Sequence, residues 1–118
     1  MSPLSAIETE QVRDLRARLN RVPKGPAGDK SVGPLSKGFF DVAARVGLPA
    51  PLADAPPPSP EAALAAATEA DMAGLAALVG RLAAFRAASP EKWRAYFDAG
   101  VLQAILTRRL VLGGKERI

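Results

Sequence analysis

Two residue types that carry out much of protein chemistry are missing, because the 118-residue chain contains no histidine and no cysteine. Histidine is the usual acid–base group near neutral pH, cysteine is the thiol nucleophile, and both are common ligands of transition metals. Asp, Glu, Lys, Ser and Tyr remain, but the sequence has no nucleophile-elbow motif and no clustered pair of carboxylates. We therefore expect no catalytic residue, cofactor site or metal site, and a protein that is not an enzyme.

One segment, residues 25–31, combines glycine with lysine and serine, as phosphate-binding loops do. A P-loop needs glycine, lysine and a hydroxyl residue in succession, with a strand before them and a helix after them. Here Asp29 separates Gly28 from Lys30, and a helix is predicted before the segment. The pattern therefore indicates a linker.

The C-terminal end is the better candidate for binding an anion. Four basic residues occur there beside the single acid Glu116: Arg108, Arg109, Lys115 and Arg117. They favour an anionic partner, either nucleic acid or an acidic protein surface. Basic side chains also complement the negative end of a helix dipole, so a structural role stays open.

Three of the six aromatic residues fall close together, at Trp93, Tyr96 and Phe97. Trp93 and Phe97 are one helical turn apart, and we predict that they anchor the last helix in the core. Tyr96 lies on a neighbouring face, where we expect its hydroxyl to stay in water. The alternative is an interface hot spot, because Trp and Tyr are enriched in such patches.

The elements that must position these residues are predicted to be helices. Ser5 and Glu8 have capping-box spacing, and apolar residues then recur every three or four positions over about residues 6–21. Seven glycines and prolines predict a loop over residues 22–38. A short helix is predicted over about 39–46, ending before Gly47.

The amino-acid composition of the chain changes after a proline-rich connector at residues 49–58. The triplets at 59–61 and 89–91 are both Ser-Pro-Glu, which favours a helix start, and 13 of residues 61–88 are alanine. Thr68 with Asp71 could cap a second start, which would divide this segment into a short helix and a long one. The last helix, about 90–111, is predicted to kink near Gly100.

The long helix has an unusual surface, because its charges are few and scattered around the circumference. A stripe of large apolar residues lies beside a stripe of small ones, Ala73, Ala77, Gly80 and Ala84. A helix that is apolar nearly all round is normally buried on several sides, and we expect the chain to be too short to cover it. The candidate protein interface therefore consists of Met72, Leu75, Val79, Leu82, Trp93 and Tyr96.

Together these patterns predict an all-α fold, a small bundle of four or five helices with Gly/Pro-rich connectors in its N-terminal part. We expect residues 1–58 to be arm-like and residues 59–118 to form the bundle. The leading function is a non-enzymatic protein–protein interaction or assembly component that could self-associate. The alternatives are a small nucleic-acid-binding protein that uses its basic termini (the net charge is +4) and an accessory subunit of an enzyme. The N-terminus does not resemble a signal peptide, so a cytoplasmic location is expected.

Overall fold

The computed structural model describes residues 5–22, 28–48 and 57–112. All regular elements in these ranges are α-helices, which confirms the predicted all-α class for this part of the chain. They are α1 (Ala6–Asn20), α2 (Asp29–Arg45), α3 (Pro60–Glu69), α4 (Met72–Ala88), α5 (Pro90–Ala99) and α6 (Val101–Leu112). The described residues thus form six helices where four or five were expected. Apart from its last two residues, the proline-rich connector lies outside the described residues.

Helix α1 begins as its sequence predicts. The Glu8 amide donates to the Ser5 hydroxyl at 3.1 Å, and the Ser5 amide donates to the Glu8 carboxylate at 3.0 Å. This reciprocal pair is a complete capping box, which satisfies amides that the first helical turn leaves without partners. Val12, Leu15 and Leu19 are buried, so the predicted apolar stripe faces the core.

Helix α2 corrects the prediction of a loop over residues 22–38. It begins at Asp29, includes Pro34, and contains the short helix expected at 39–46 as its second half. Glycine and proline are poor helix formers, and Pro34 cannot donate a backbone hydrogen bond. Tertiary contacts override these preferences, because Ser36 and Phe39 are both fully buried. The end of the helix agrees with the sequence, since Gly47, the residue after the C-cap Val46, has a φ of +85°.

The alanine-rich segment divides into a short helix and a long one, as predicted, but Thr68 does not cap the second start, because it lies inside α3 and its hydroxyl donates to the Ala65 carbonyl at 2.7 Å. The Asp71 carboxylate accepts a hydrogen bond from the Gly74 amide at 2.8 Å and starts α4. Ser59 caps α3 in the same way, by accepting from the Ala62 amide at 3.3 Å. Ser89 precedes α5, but its side chain makes no capping hydrogen bond. Ser89 is also the C-cap residue directly after α4, and its amide donates to the Phe85 carbonyl, so the end of α4 fixes its backbone geometry.

Gly100 separates α5 from α6, which accounts for the additional helix. Its φ of +86° is left-handed, and its amide donates to the Phe97 carbonyl. The expected kink is therefore a complete break, because a left-handed residue terminates the hydrogen-bonding pattern of α5. Glycine adopts this conformation without the steric cost that a side chain would add.

Helix α6 is the centre of the bundle and packs against α1 and α3. Its core side chains have no exposed surface: Val101, Leu102, Ile105, Leu106 and Leu110. The same apolar cluster includes Leu15 and Leu19 of α1 and Phe39 of α2. The described residues of the segment 1–58 therefore share one core with residues 59–112.

Candidate functional site

The large apolar side chains predicted as a protein interface are mostly part of the chain's own core. Leu75 and Leu82 have no exposed surface, Val79 is 5% exposed, and Met72 is half-buried against the core. The expectation that the chain could not cover this stripe is wrong for the large side chains. The other helices enclose them, because α2, α3, α5 and α6 all contact α4.

Trp93 anchors α5 in the core, as predicted. It is 3% exposed, and its indole Nε1 donates to the Ser36 hydroxyl at 2.8 Å. Its ring centroid lies 5.8 Å from that of Phe40 and 6.3 Å from that of Tyr96. Trp93 thus joins α2 to α5 through both packing and a buried hydrogen bond, and Phe97 of α5 is also buried, as predicted.

The expectation that the Tyr96 hydroxyl stays in water is wrong. Tyr96 is 6% exposed, and its hydroxyl donates to the Pro58 carbonyl at 2.6 Å. Burial raises the pKa of Tyr96 above its ordinary value of 10.0. Both candidate aromatic contacts, Trp93 and Tyr96, therefore use their polar atoms within the chain.

The two described arginines of the anion-binding candidate bind backbone carbonyls of other helices. Arg108 Nε donates to the carbonyl of Ala70, which follows α3, at 2.7 Å. Arg109 Nε donates to the carbonyl of Val46, which follows α2, at 2.6 Å. The last carbonyls of a helix have no partner within that helix, so each arginine completes a helix end. Lys115 and Arg117 lie outside the described residues.

Burial distinguishes the two arginines. Arg109 is 3% exposed, whereas Arg108 is half-buried. Burial lowers the pKa of Arg109, and the negative charge of Glu8 opposes this change. Hydrogen bonds from Ser5 lower the pKa of Glu8 below its ordinary value of 4.5. Arg109 is thus enclosed, with its Nε bound to the Val46 carbonyl and its positive charge favoured by Glu8.

The solvent-facing side of α4 carries the small residues. We call Ala73, Gly74, Ala77, Arg81 and Ala88 the α4 outer stripe; all five are exposed. Of the small-residue stripe identified in the sequence, Ala73 and Ala77 are exposed, Ala84 is half-buried and Gly80 is buried. The structure therefore leaves Ala73 and Ala77 exposed and covers the leucines of this helix.

Two open grooves of similar size border α1. The first, of about 380 Å³, is lined by Ala6, Thr9, Glu10 and Arg13. The second, of about 400 Å³, lies where the end of α1 meets the start of α2, and we call it the α1–α2 groove. Among the described residues, its lining includes Arg18, Arg21, Val22, Lys30, Ser31, Pro34 and Leu35. The sequence contains no direct signal for it, because the end of α1 and the start of α2 form it together.

In the described ranges, no group of three acidic side chains lies close enough together to hold a metal ion. None of the helices in the same ranges combines the length and apolarity needed to cross a membrane. No protein-family model, no curated protein and no solved structure matches the chain.

Proposed function

We propose that this protein is a non-enzymatic assembly component that docks a second helix against the α4 outer stripe. The observation that carries the proposal is the composition of this stripe. The structure describes all 17 residues of α4. Among those that are exposed, Arg81 is the only charged one. A surface helix normally presents charged and polar side chains to water over its whole outer face.

Helix α1 shows what an ordinary solvent face looks like in the same molecule. Its exposed residues include Glu10, Arg13, Asp14 and Arg18, and the last two form an ion pair at 3.0 Å. Helix α4 has alanine and glycine in the corresponding place. The contrast supports a docking role for α4, because one chain carries both kinds of face.

Small side chains favour close helix contact for two physical reasons. Alanine and glycine lose no side-chain rotamer entropy when a partner covers them. They also let two helix backbones approach each other closely, which increases the number of van der Waals contacts. The proposed contact is therefore a shallow helix–helix interface in which α4 supplies a smooth surface.

Self-association is the form of the proposal that can be tested first. The chain has no cysteine, so Ala77→Cys introduces a single thiol into the α4 outer stripe, and Ala95→Cys introduces one at an exposed position of α5. If two copies dock through the stripe, we expect Ala77→Cys to form a disulfide-linked dimer at least about tenfold faster than Ala95→Cys. Equal rates, together with a monomeric mass at every protein concentration, would contradict self-association through α4.

A charge substitution provides the second measurement. Ala77→Glu places a carboxylate in the stripe at small cost in helix propensity, and Ala95→Glu is the matched control. We expect Ala77→Glu to weaken self-association about tenfold or more, which corresponds to about 1.4 kcal/mol. Sedimentation velocity reports the mass, and circular dichroism checks that both variants stay helical. Loss of association in both variants would show that α4 has no special role.

An accessory subunit of an enzyme would use the same surface with a different protein as the occupant. A photoreactive label attached to the Ala77→Cys thiol tests this form in lysate of the source cells. The labelled Ala95→Cys protein is the control. A defined protein captured by the label at position 77 and not by the label at position 95 would support the accessory role. We also propose a cytoplasmic location for the protein.

A further inference from the structure

The α1–α2 groove combines positive charge with an apolar wall. Arg18 and Arg21 contribute from the end of α1, and Lys30 and Ser31 contribute from the start of α2. The volume of about 400 Å³ falls within the usual range for small-molecule sites, roughly 300 to 1,000 Å³. From this arrangement we propose that the groove binds a small molecule that carries a phosphate group next to an apolar group.

The positive side chains remain accessible at this groove. Arg21 and Lys30 are exposed. Arg18 pairs with Asp14 at 3.0 Å, but their side chains are 63% and 61% exposed. An ion pair this exposed contributes little free energy, so Arg18 can turn towards an anion at small cost.

The chemistry of the groove favours phosphate as the charged part of the ligand. A phosphate monoester carries close to two negative charges at neutral pH and has three strong acceptor oxygens. Two guanidinium groups, an ammonium group and the Ser31 hydroxyl supply donors for these oxygens.

The remaining lining determines the second half of the ligand. Val22 and Leu35 are half-buried and pack against the core, and Pro34 lies beside them in the groove. An apolar group placed on these side chains removes water from surfaces on both molecules, which contributes roughly 25 cal/mol for each Å² buried. A free phosphate ion cannot use this wall, so the apolar group is expected to increase the affinity.

Phenyl phosphate and inorganic phosphate are suitable probes for a titration at constant ionic strength. Amide chemical shifts of the isotopically labelled full chain report the binding. We expect phenyl phosphate to bind saturably, at least about fivefold more tightly than inorganic phosphate, with the largest shifts at α1 and α2. Absence of saturable binding by phenyl phosphate, or equal affinity for the two probes, would overturn the proposal.

Matched double variants separate the groove from a general charge effect. Arg21→Gln with Lys30→Gln removes two charges from the groove, and Arg45→Gln with Lys92→Gln removes two exposed charges outside its lining. We expect the groove variant to bind phenyl phosphate at least about tenfold more weakly, and the control to stay within about twofold. Equal losses in both variants would overturn the assignment. The test does not depend on association through α4, because it follows binding at α1 and α2.

Discussion

The basic residues at the end of α6 and those at the α1–α2 groove have the same chemistry and opposite surroundings. Arg108 and Arg109 bind carbonyls that follow two other helices, and Arg109 is buried. Arg21 and Lys30 are exposed at the rim of a groove. In the sequence the C-terminal cluster was the better anion-binding candidate, but its two described members, Arg108 and Arg109, are less accessible than Arg21 and Lys30. The number of positive charges in a segment therefore does not show how many of them can reach a ligand.

The difference has a physical origin in the helix ends that lie nearby. Val46 and Ala70, the residues that follow α2 and α3, lie within hydrogen-bonding distance of α6. The terminal carbonyls of a helix need donors that the helix cannot supply itself. Arg108 and Arg109 are the donors within reach. At the end of α1, the backbone amide of Arg21 donates to the Arg18 and Leu19 carbonyls, so its side chain is not required for that purpose.

The largest effect is expected at Arg109. Arg109→Met keeps much of the side-chain volume but leaves the Val46 carbonyl without its donor. We expect the free energy of unfolding to fall by about 2 to 3 kcal/mol, since a buried hydrogen bond from a charged group is lost. Urea unfolding measures this change, with Arg45→Met, an exposed arginine of α2, as the control. Equal stability of the two variants would remove the contrast between buried and exposed arginines.

A smaller loss is expected at Arg108. Its side chain is half-buried, so water can partly replace it at the Ala70 carbonyl. We expect Arg108→Met to lower the free energy of unfolding by about 1 kcal/mol. The same urea experiment gives the value. A loss larger than that of Arg109→Met would mean that side-chain exposure does not determine which arginine contributes more to the free energy of unfolding.

Tyr96 extends the comparison to a neutral donor, because its hydroxyl also binds a backbone carbonyl. Burial raises its pKa in the folded state above 10.0. Above that pH the unfolded chain loses the phenolic proton first, so the Tyr96 contribution to stability is complete below pH 10.0 and decreases as the pH rises towards the folded-state pKa. The chain has one tyrosine, so phenolate absorbance follows this group alone.

A variant isolates the Tyr96 contribution from that of lysines that also titrate at high pH. In Tyr96→Phe, the part of the alkaline loss that is due to the phenol is expected to disappear. The difference in urea midpoint between the two proteins, measured over a pH series that crosses 10.0, checks this. A constant difference over the whole series would show that Tyr96 ionises alike in both states.

The smallest effect on stability is expected at the α1–α2 groove. Arg21→Gln with Lys30→Gln should change the free energy of unfolding by no more than about 0.5 kcal/mol, because both side chains are exposed. The same double variant is expected to lose phenyl phosphate binding. A large loss of stability would show that Arg21 and Lys30 contribute to the folded state as Arg109 does, and would contradict the difference between the two regions.

Local signals in the sequence predicted several helix starts correctly. Ser5, Ser59 and Asp71 each accept a hydrogen bond from a backbone amide in the first turn of the helix that follows. Such a contact involves residues three positions apart, so the sequence contains all of its partners. Ser89 marks the correct position but makes no such bond, because the preceding helix controls its backbone.

Long-range contacts explain where the sequence prediction failed. The first half of α2 has the glycines and proline of a loop, yet Ser36 in this half receives the indole hydrogen bond of Trp93, 57 positions away. The Tyr96 hydroxyl reaches Pro58, and Arg109 reaches Val46, 63 positions away. No periodicity or propensity contains these pairings, because they form only when the helices pack.

The sequence by itself determined the helical class, the main caps, the left-handed residue after α2 and the apolar faces of α1 and α5. These features depend on neighbours within one or two helical turns. The tertiary structure alone decided which side of α4 faces water, which arginines complete helix ends and where a groove opens between α1 and α2. Each of these outcomes depends on which helices meet, and that is set by the balance of buried apolar surface over the whole chain.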